Sequence, residues 1–490
     1  MRIVWLGRGL AATVVAAGLL LALPLHAQAH ARILAVLPAP SSTVTGPQSQ
    51  VLLRYNEPVD RSLFRLTVEG DQGSALAGPP AFQDDETIVA RLKPTAAGVL
   101  LVTWVAVGLD AHPVVGQYYF AVRTPQTAAA LQSDISQAAR RVGSFESGGG
   151  AAGLTGLIEA ARSVEIVLLY AVLGIVLLGA LLWRSRPVLA TAAGPPLPAG
   201  RAWRALLVAG AASAVLMPVL LWLNAERLSE LLIGVGTSRI VASSIGALWG
   251  VKALLWLGLV GVVMLIVRRG RDARALDRLP VVLAVLALAL AGAFVAGTHV
   301  GTGSASPEWL YIPMMMSHIL LTAFWAGGLL ALLVVVFPGG DAAQIWAAVS
   351  RFSRVMTVTA GVLVATGLII LVRLLSNLNA LWCTGYGVVA GFKVTGVALA
   401  LIFGLVNNRM VAAHRREQEL PEAARRGRRA GPTVLSLRRV VIAEAVLLLG
   451  VLVLAAVLGE TQLPPLFNGR ALPGDVQNVV EPGLFGSGCQ

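Results

Sequence analysis

The chain changes its polarity pattern three times. A short apolar run from about Leu10 to Leu25 opens it. Next comes a stretch of modest hydropathy in which apolar and polar residues alternate: Val51-Leu52-Leu53-Arg54-Tyr55, Phe64-Arg65-Leu66-Thr67-Val68, 87–92, 99–104 and 118–122. Period-two alternation over such lengths predicts half-buried strands. Pro38, Pro40, Gly70, Gly73, Gly78-Pro79-Pro80 and Gly98 fall between them as turn residues. Short strands at this spacing predict an all-β sandwich over residues 30–123, about the length of one small domain. From residue 154 the alternation gives way to apolar runs of about 20 residues, each enough to cross a bilayer. They predict an all-α polytopic membrane domain of eight transmembrane helices, at about 164–183, 203–223, 245–267, 279–299, 313–337, 354–375, 387–407 and 438–458.

The first run is short for a span. Arg2 and Arg8 flank it, and Ala27-Gln28-Ala29 follows as a small-x-small cleavage signature. Residues 1–29 therefore read as a secretory signal peptide, with an uncleaved anchor as the alternative. Residues 124–153, rich in Ala, Gln, Ser and Gly, read as a tether with a short helix over about 127–142. Residues 461–490 read as an extended extracytoplasmic tail.

Composition and charge sharpen this division. The chain is 56% hydrophobic and 13% charged, with a formal charge of +13. Such a charge could indicate nucleic-acid binding, but its placement argues against that. Arg268, Arg269, Arg271, Arg274 and Arg278 form one cluster between apolar runs, and Arg415, Arg416, Arg425, Arg426, Arg428 and Arg429 form another. This is the positive-inside pattern of cytoplasmic loops. It puts 184–202, 268–278 and 408–437 in the cytoplasm, and the β-domain and C-terminus outside a cytoplasmic membrane. The 338–353 loop is the weakly charged exception. Cys383 and Cys489 both fall outside, where a disulfide and two free thiols are equally permitted.

Cleavage after Ala29 makes His30 the first residue. Its α-amino group and imidazole can chelate one ion, a nitrogen pair suited to Cu(II). The domain has one further histidine, His112, in Asp110-Ala111-His112-Pro113. In an extended segment Asp110 and His112 project to the same side, and with His30 they form an N3O set for Cu(II). A hydrogen-bonded Asp/His pair at a loop is the plain alternative. In the membrane domain His299 and His318 fall near the outer surface on consecutive spans, with Met314 and Met315 four and three residues before His318 on its helical face. Imidazole with soft thioethers suits Cu(I); packing methionine is the competing reading. Phe324-Trp325-Ala326-Gly327-Gly328-Leu329 reads as a close-approach helix seam. Glu165, Lys252, Lys393 and Glu444 are charges within or beside the spans, open to ion pairing, to lining a path, or, for the lysines, to snorkelling.

The β-domain resembles the CopC copper-resistance family in His30-Ala31, Tyr55-Asn56-Glu57-Pro58 and Trp104…Asp110-Ala111-His112-Pro113-Val114…Gly116. Ala111 replaces a usual glycine and Gly108 a common serine; neither change removes a ligand. The resemblance implies a cupredoxin-like Greek-key sandwich, Cu(II) bound by His30, Asp110 and His112, and Glu57 as a supporting group. The methionine-rich Cu(I) loop of some members has no counterpart here, which implies a single Cu(II) site. The membrane domain, 154–460, resembles the CopD family in Gly297-Thr298-His299, His318…Phe324-Trp325-Ala326-Gly327-Gly328-Leu329, Arg351-Phe352-Ser353, Thr366-Gly367, Thr384-Gly385-Tyr386-Gly387…Lys393 and Asn408-Arg409. CopC-like and CopD-like domains in this order resemble the fused, YcnJ-type copper proteins. The resemblance implies Cu(II) capture at the outer face and passage of copper into or across the membrane, without catalysis. No Gly-x-x-x-x-Gly-Lys-Ser/Thr loop is present to drive export by ATP. Two other readings stand: a sequestration module that hands copper to an exported partner, and a haem-containing copper reductase built on the histidine pair.

Overall fold

The computed structural model describes residues 33–40, 42–44, 48–55, 58–70, 75–93, 98–108, 113–122, 136–137, 152–183, 199–232, 235–269, 279–297, 308–374, 380–421 and 431–460. The expected signal peptide and C-terminal tail lie outside these residues, as does nearly all of the linker.

The N-terminal region is two four-stranded sheets. One has the order β1-β3-β6-β5, from Ile33–Leu37, Gln50–Tyr55, Thr87–Arg91 and Ala81–Phe82; the other is β2-β8-β7-β4, from Thr43–Val44, Pro113–Val122, Gly98–Val107 and Arg65–Glu69. All five expected strands are present. The additional β1, β2 and β5 were missed because two of them are only two residues long and the third, at 33–37, has no alternation. Along β3 the alternation becomes burial, with Val51, Leu53 and Tyr55 inside. They meet Val36, Ile88, Leu100, Val102 and Phe120 in one core.

Among the described residues eight long helices follow: α1 Ala152–Trp183, α2 Ala199–Leu231, α3 Ser244–Arg269, α4 Leu279–Ala296, α5 308–336, α6 Ala342–Leu374, α7 Gly385–Glu419 and α8 Val434–Glu460. Seven are long and apolar enough to cross a membrane; α4, apolar over Val281–Ala296, is shorter. Each expected span is thus a helix, but two expected loops are partly helical. Residues 342–353 belong to α6 and 408–419 to α7. Polar residues end the hydrophobic signal there without ending the helix, because backbone hydrogen bonding continues wherever nothing interrupts it. The start of α6 is fixed by a reciprocal cap: Gln344 N–H donates to Asp341 Oδ1 at 2.8 Å, and Asp341 N–H to Gln344 Oε1 at 3.2 Å. Thr384 caps α7 by accepting from Gly387 N–H at 2.9 Å, and Thr433 caps α8 by accepting from Ser436 N–H at 3.2 Å.

Helix α5 is irregular, with π turns over Ala323–Gly327 and Leu332–Val336. A Cβ on Gly327 would stand 1.8 Å from the Tyr170 carbonyl oxygen, and one on Gly174 would stand 2.1 Å from the Gly327 carbonyl carbon. The α1 and α5 backbones therefore touch, as the expected glycine seam requires. Gly328 makes the equivalent room for Phe352 of α6, whose ring also packs on Phe324 at 5.2 Å between centroids. Leu63, Val105 and Val107 of the sandwich belong to the same buried apolar cluster as the helices.

Candidate metal centre

The expected Cu(II) ligands His30, Asp110 and His112, and the supporting Glu57, lie outside the described residues. Their flanks are described, and the strand register gathers them. Ile33, three residues after His30, pairs with Tyr55, two before Glu57. Gly108, two before Asp110, bridges Val59. Val107 pairs with Pro113, next to His112. The described flanks Ile33 and Tyr55, Val59 and Gly108, and Val107 and Pro113 are thus paired with one another in the strand register. The Trp…Gly pairing of the motif has a packing cause. Trp104 faces Gly116 across β7–β8, and a Cβ on Gly116 would lie 2.0 Å from Trp104 Cζ2. Tyr55, Trp104 and Tyr118 bring into this core buried polar tips that have no hydrogen-bond partner among the described residues. Burial pushes the Tyr55 and Tyr118 phenols well above the ordinary tyrosine range, so both stay neutral.

In the membrane domain His299 lies outside the described residues, while His318 is half-buried on α5. Its Nδ1 lies 3.0 Å from Thr366 Oγ1 of α6. The single Thr366 hydroxyl proton is directed to the Val362 and Leu363 carbonyls, each at 3.0 Å. With that proton on the backbone, Oγ1 is free to accept from the imidazole, and the tautomer that this arrangement suits is the one with the proton on Nδ1 and the lone pair on Nε2. That is the arrangement by which a neighbouring group orients a metal-binding histidine. Gly367 completes it, since a Cβ there would stand 3.1 Å from His318 Cε1. The Thr366-Gly367 dipeptide thus has one residue to hold the ring and one to leave it room. Met314 is buried and Met315 half-buried on the same helix. Met316 Cε would lie 3.6 Å from a Cβ on Gly292, which makes α4 and α5 neighbours at this seam, as the short connection predicts. Lys393 of α7 is half-buried. Among the described residues no three His, Cys, Asp or Glu side chains gather as a metal cluster.

The intramembrane charges resolve differently from one another. Lys252 of α3 pairs with Glu165 of α1, Nζ to Oε1 3.3 Å, with side chains 9% and 6% exposed. The ammonium also lies 4.7 Å from the Trp249 ring centroid and 5.4 Å from that of Phe294. Lys252 is a buried partner and does not snorkel. Glu444 turns away from the Arg438/Arg439 end of α8. It accepts from Trp325 Nε1–H at 2.8 Å and from Asn407 Nδ2. Trp325 and Asn407 were not singled out from sequence as its partners. The available signal was Asn407 itself, an amide inside an apolar span.

Comparison with known proteins finds a match in each half. The CopC domain model matches residues 34–123, and the model of copper resistance protein D matches 346–458, the stretch of α6 to α8. A CopC region and a CopD region thus occur in one chain, the arrangement of a CopC–CopD fusion, and both tie it to copper resistance. Copper resistance protein C of Escherichia coli is 29% identical over 115 residues, 22% of this chain and 91% of that protein. Two solved structures also match the β-domain. CopC from Methylosinus trichosporium OB3b is 19% identical over 20% of this chain and 98% of its own, with a TM-score of 0.19. PcoC from Escherichia coli, described as a methionine-rich copper resistance protein, is 26% identical over 19% of this chain and 100% of its own, with a TM-score of 0.18. Residues 30–123 here contain no methionine.

Proposed function

We propose that the chain captures Cu(II) at the outer face of the cytoplasmic membrane and passes copper inward through the helical bundle. The observation that carries this reading is the presence of a CopC domain and a CopD region on one chain. His30, Asp110 and His112 form the capture site, with Glu57 supporting them, on an exported domain freed by cleavage after Ala29. His299 and His318, with Met314 and Met315, receive the metal on the outer side of α4 and α5. The Nε2 lone pair left free by Thr366 supports His318 in that role, and the sandwich residues Leu63, Val105 and Val107 in the bundle's apolar cluster keep the capture domain close to it. Basic segments between spans support a cytoplasmic placement for those loops, with both termini outside.

The second reading is sequestration with delivery to an exported acceptor. It is favoured by the absence of a three-ligand cluster among the described bundle residues. The capture step is tested by electron paramagnetic resonance of the purified full chain titrated with Cu(II). One equivalent in a nitrogen-rich signal, lost in His30→Ala and in His112→Ala, is expected. A signal unaffected by either substitution would refute the site.

A further inference from the structure

Glu444 is 2% exposed on α8, and it bonds to Trp325 of α5 and Asn407 of α7. Among the described residues it makes no ion pair. Beside it lies a cavity of about 290 Å³ to which four helices contribute, with Trp325 from α5, Phe352 and Met356 from α6, Asn407 from α7 and Glu444 from α8 on its wall. Glu444 is the one titratable group in that lining. Gly404, a further lining residue, leaves the carboxylate its space, since a Cβ there would stand 3.3 Å from Oε1.

A carboxylate held away from water without a cation is relieved by binding one. The polar atoms offered here are hard oxygens, a poor match for Cu(I). The one sulfur in the lining, Met356 Sδ, already contacts Thr359 Oγ1 at 3.6 Å. The Asn407 amide supplies the decisive detail. Its Nδ2 serves the carboxylate, while its Oδ1 is buried and has no hydrogen-bond partner among the described residues. A half-turn of the amide exchanges the two atoms and places Oδ1 where it accepts from the O–H of a carboxylic acid. Trp325, which can only donate, keeps its bond to Oε1 in either state. The same three side chains thus hold Glu444 ionised or protonated without moving a helix.

We propose that Glu444, held by Trp325 and Asn407, is a reversible proton-binding site facing this cavity, and that copper passage is coupled to the proton it carries. The coupling rests on the transport reading above; the proton site does not. The proton binds to Oε2 as the Asn407 amide turns, and it leaves from the same oxygen as the amide turns back.

Infrared difference spectroscopy of the purified full chain, stepped in pH, tests the site. A carboxylic-acid carbonyl band should grow as pH falls and vanish in Glu444→Gln. Glutamine preserves both bonds by donating its amide to Asn407 Oδ1, so this variant keeps the protonated geometry. In Asn407→Leu the band should shift without disappearing, because the acid loses one partner. No titrating band, or a band unchanged in Glu444→Gln, would overturn the proton site. In vesicles containing the full chain and an internal pH dye, the protons moved per copper should fall several-fold in Glu444→Gln. An unchanged ratio would overturn the coupling. Wild-type vesicles that move no copper would remove the transport reading and the coupling together, and the infrared band would still decide the proton site.

Discussion

Thr366 is the residue on which the proposed membrane copper site turns. Its Oγ1 lies 3.0 Å from His318 Nδ1 and from the Val362 and Leu363 carbonyls, an arrangement that suits the tautomer with Nδ1 protonated and Nε2 free. Thr366→Val removes the acceptor and leaves the fold intact, so copper affinity at this site should fall by about 10–100-fold, the usual effect of deleting a ligand's supporting bond. Competition against a Cu(I) chelator checks this; an unchanged affinity would mean that Thr366 only packs. Lys252 and Glu165 are of a different kind. Their pair is buried, and removing one partner strands the other charge, so Lys252→Met should destabilise the bundle by about 3–5 kcal/mol. The double variant with Glu165→Gln should recover most of that loss in thermal unfolding in detergent. How legible these residues were in sequence follows from the physics of each. His318 and the intramembrane charges stand out because such groups are costly in an apolar span. Their partners do not stand out. Thr366 and Trp325 fall in motifs that carry the CopD resemblance, but their pairing with His318 and Glu444 is a property of the packing and leaves no mark in the sequence.

At the scale of elements, the long apolar runs and the period-two strands translate directly into helices and sheets, because hydrophobic period and backbone geometry agree there. The ends do not. Helices α6 and α7 run through segments expected to be loops, since caps and polar helical turns leave no hydrophobic mark. The π turns of α5 are also silent in the sequence, although the Phe324-Trp325-Ala326-Gly327-Gly328-Leu329 run marks where they begin. They bring Trp325 and Gly327 to opposite tasks, one toward Glu444 and one against α1. Gly327→Ala forces two backbones apart, a clash that no rotamer relieves. We expect it to cost about 1–3 kcal/mol, the usual range for overpacking a tight core. The cost should appear as a lower unfolding midpoint, with Cu(II) binding by the β-domain unchanged. A variant as stable as the wild type would contradict the contact between α1 and α5.

At the scale of the whole molecule, the two domains are complementary in chemistry. In the proposed function, a site built from nitrogens and a carboxylate would take Cu(II) on the β-domain, and imidazole with thioethers on α5 would take Cu(I) in the bundle. In the proposed handover the apolar contact between sandwich and bundle keeps the capture domain beside the helices. The most direct test is accumulation of isotopically labelled copper in cells carrying the wild type, His30→Ala, or the double variant His299→Ala/His318→Ala. Capture followed by inward passage predicts that the wild type raises intracellular copper and that both variants lose most of the rise. Intracellular copper that stays flat or falls with the wild type would contradict it. Copper that accumulates outside, bound to the protein, would assign the chain to sequestration instead.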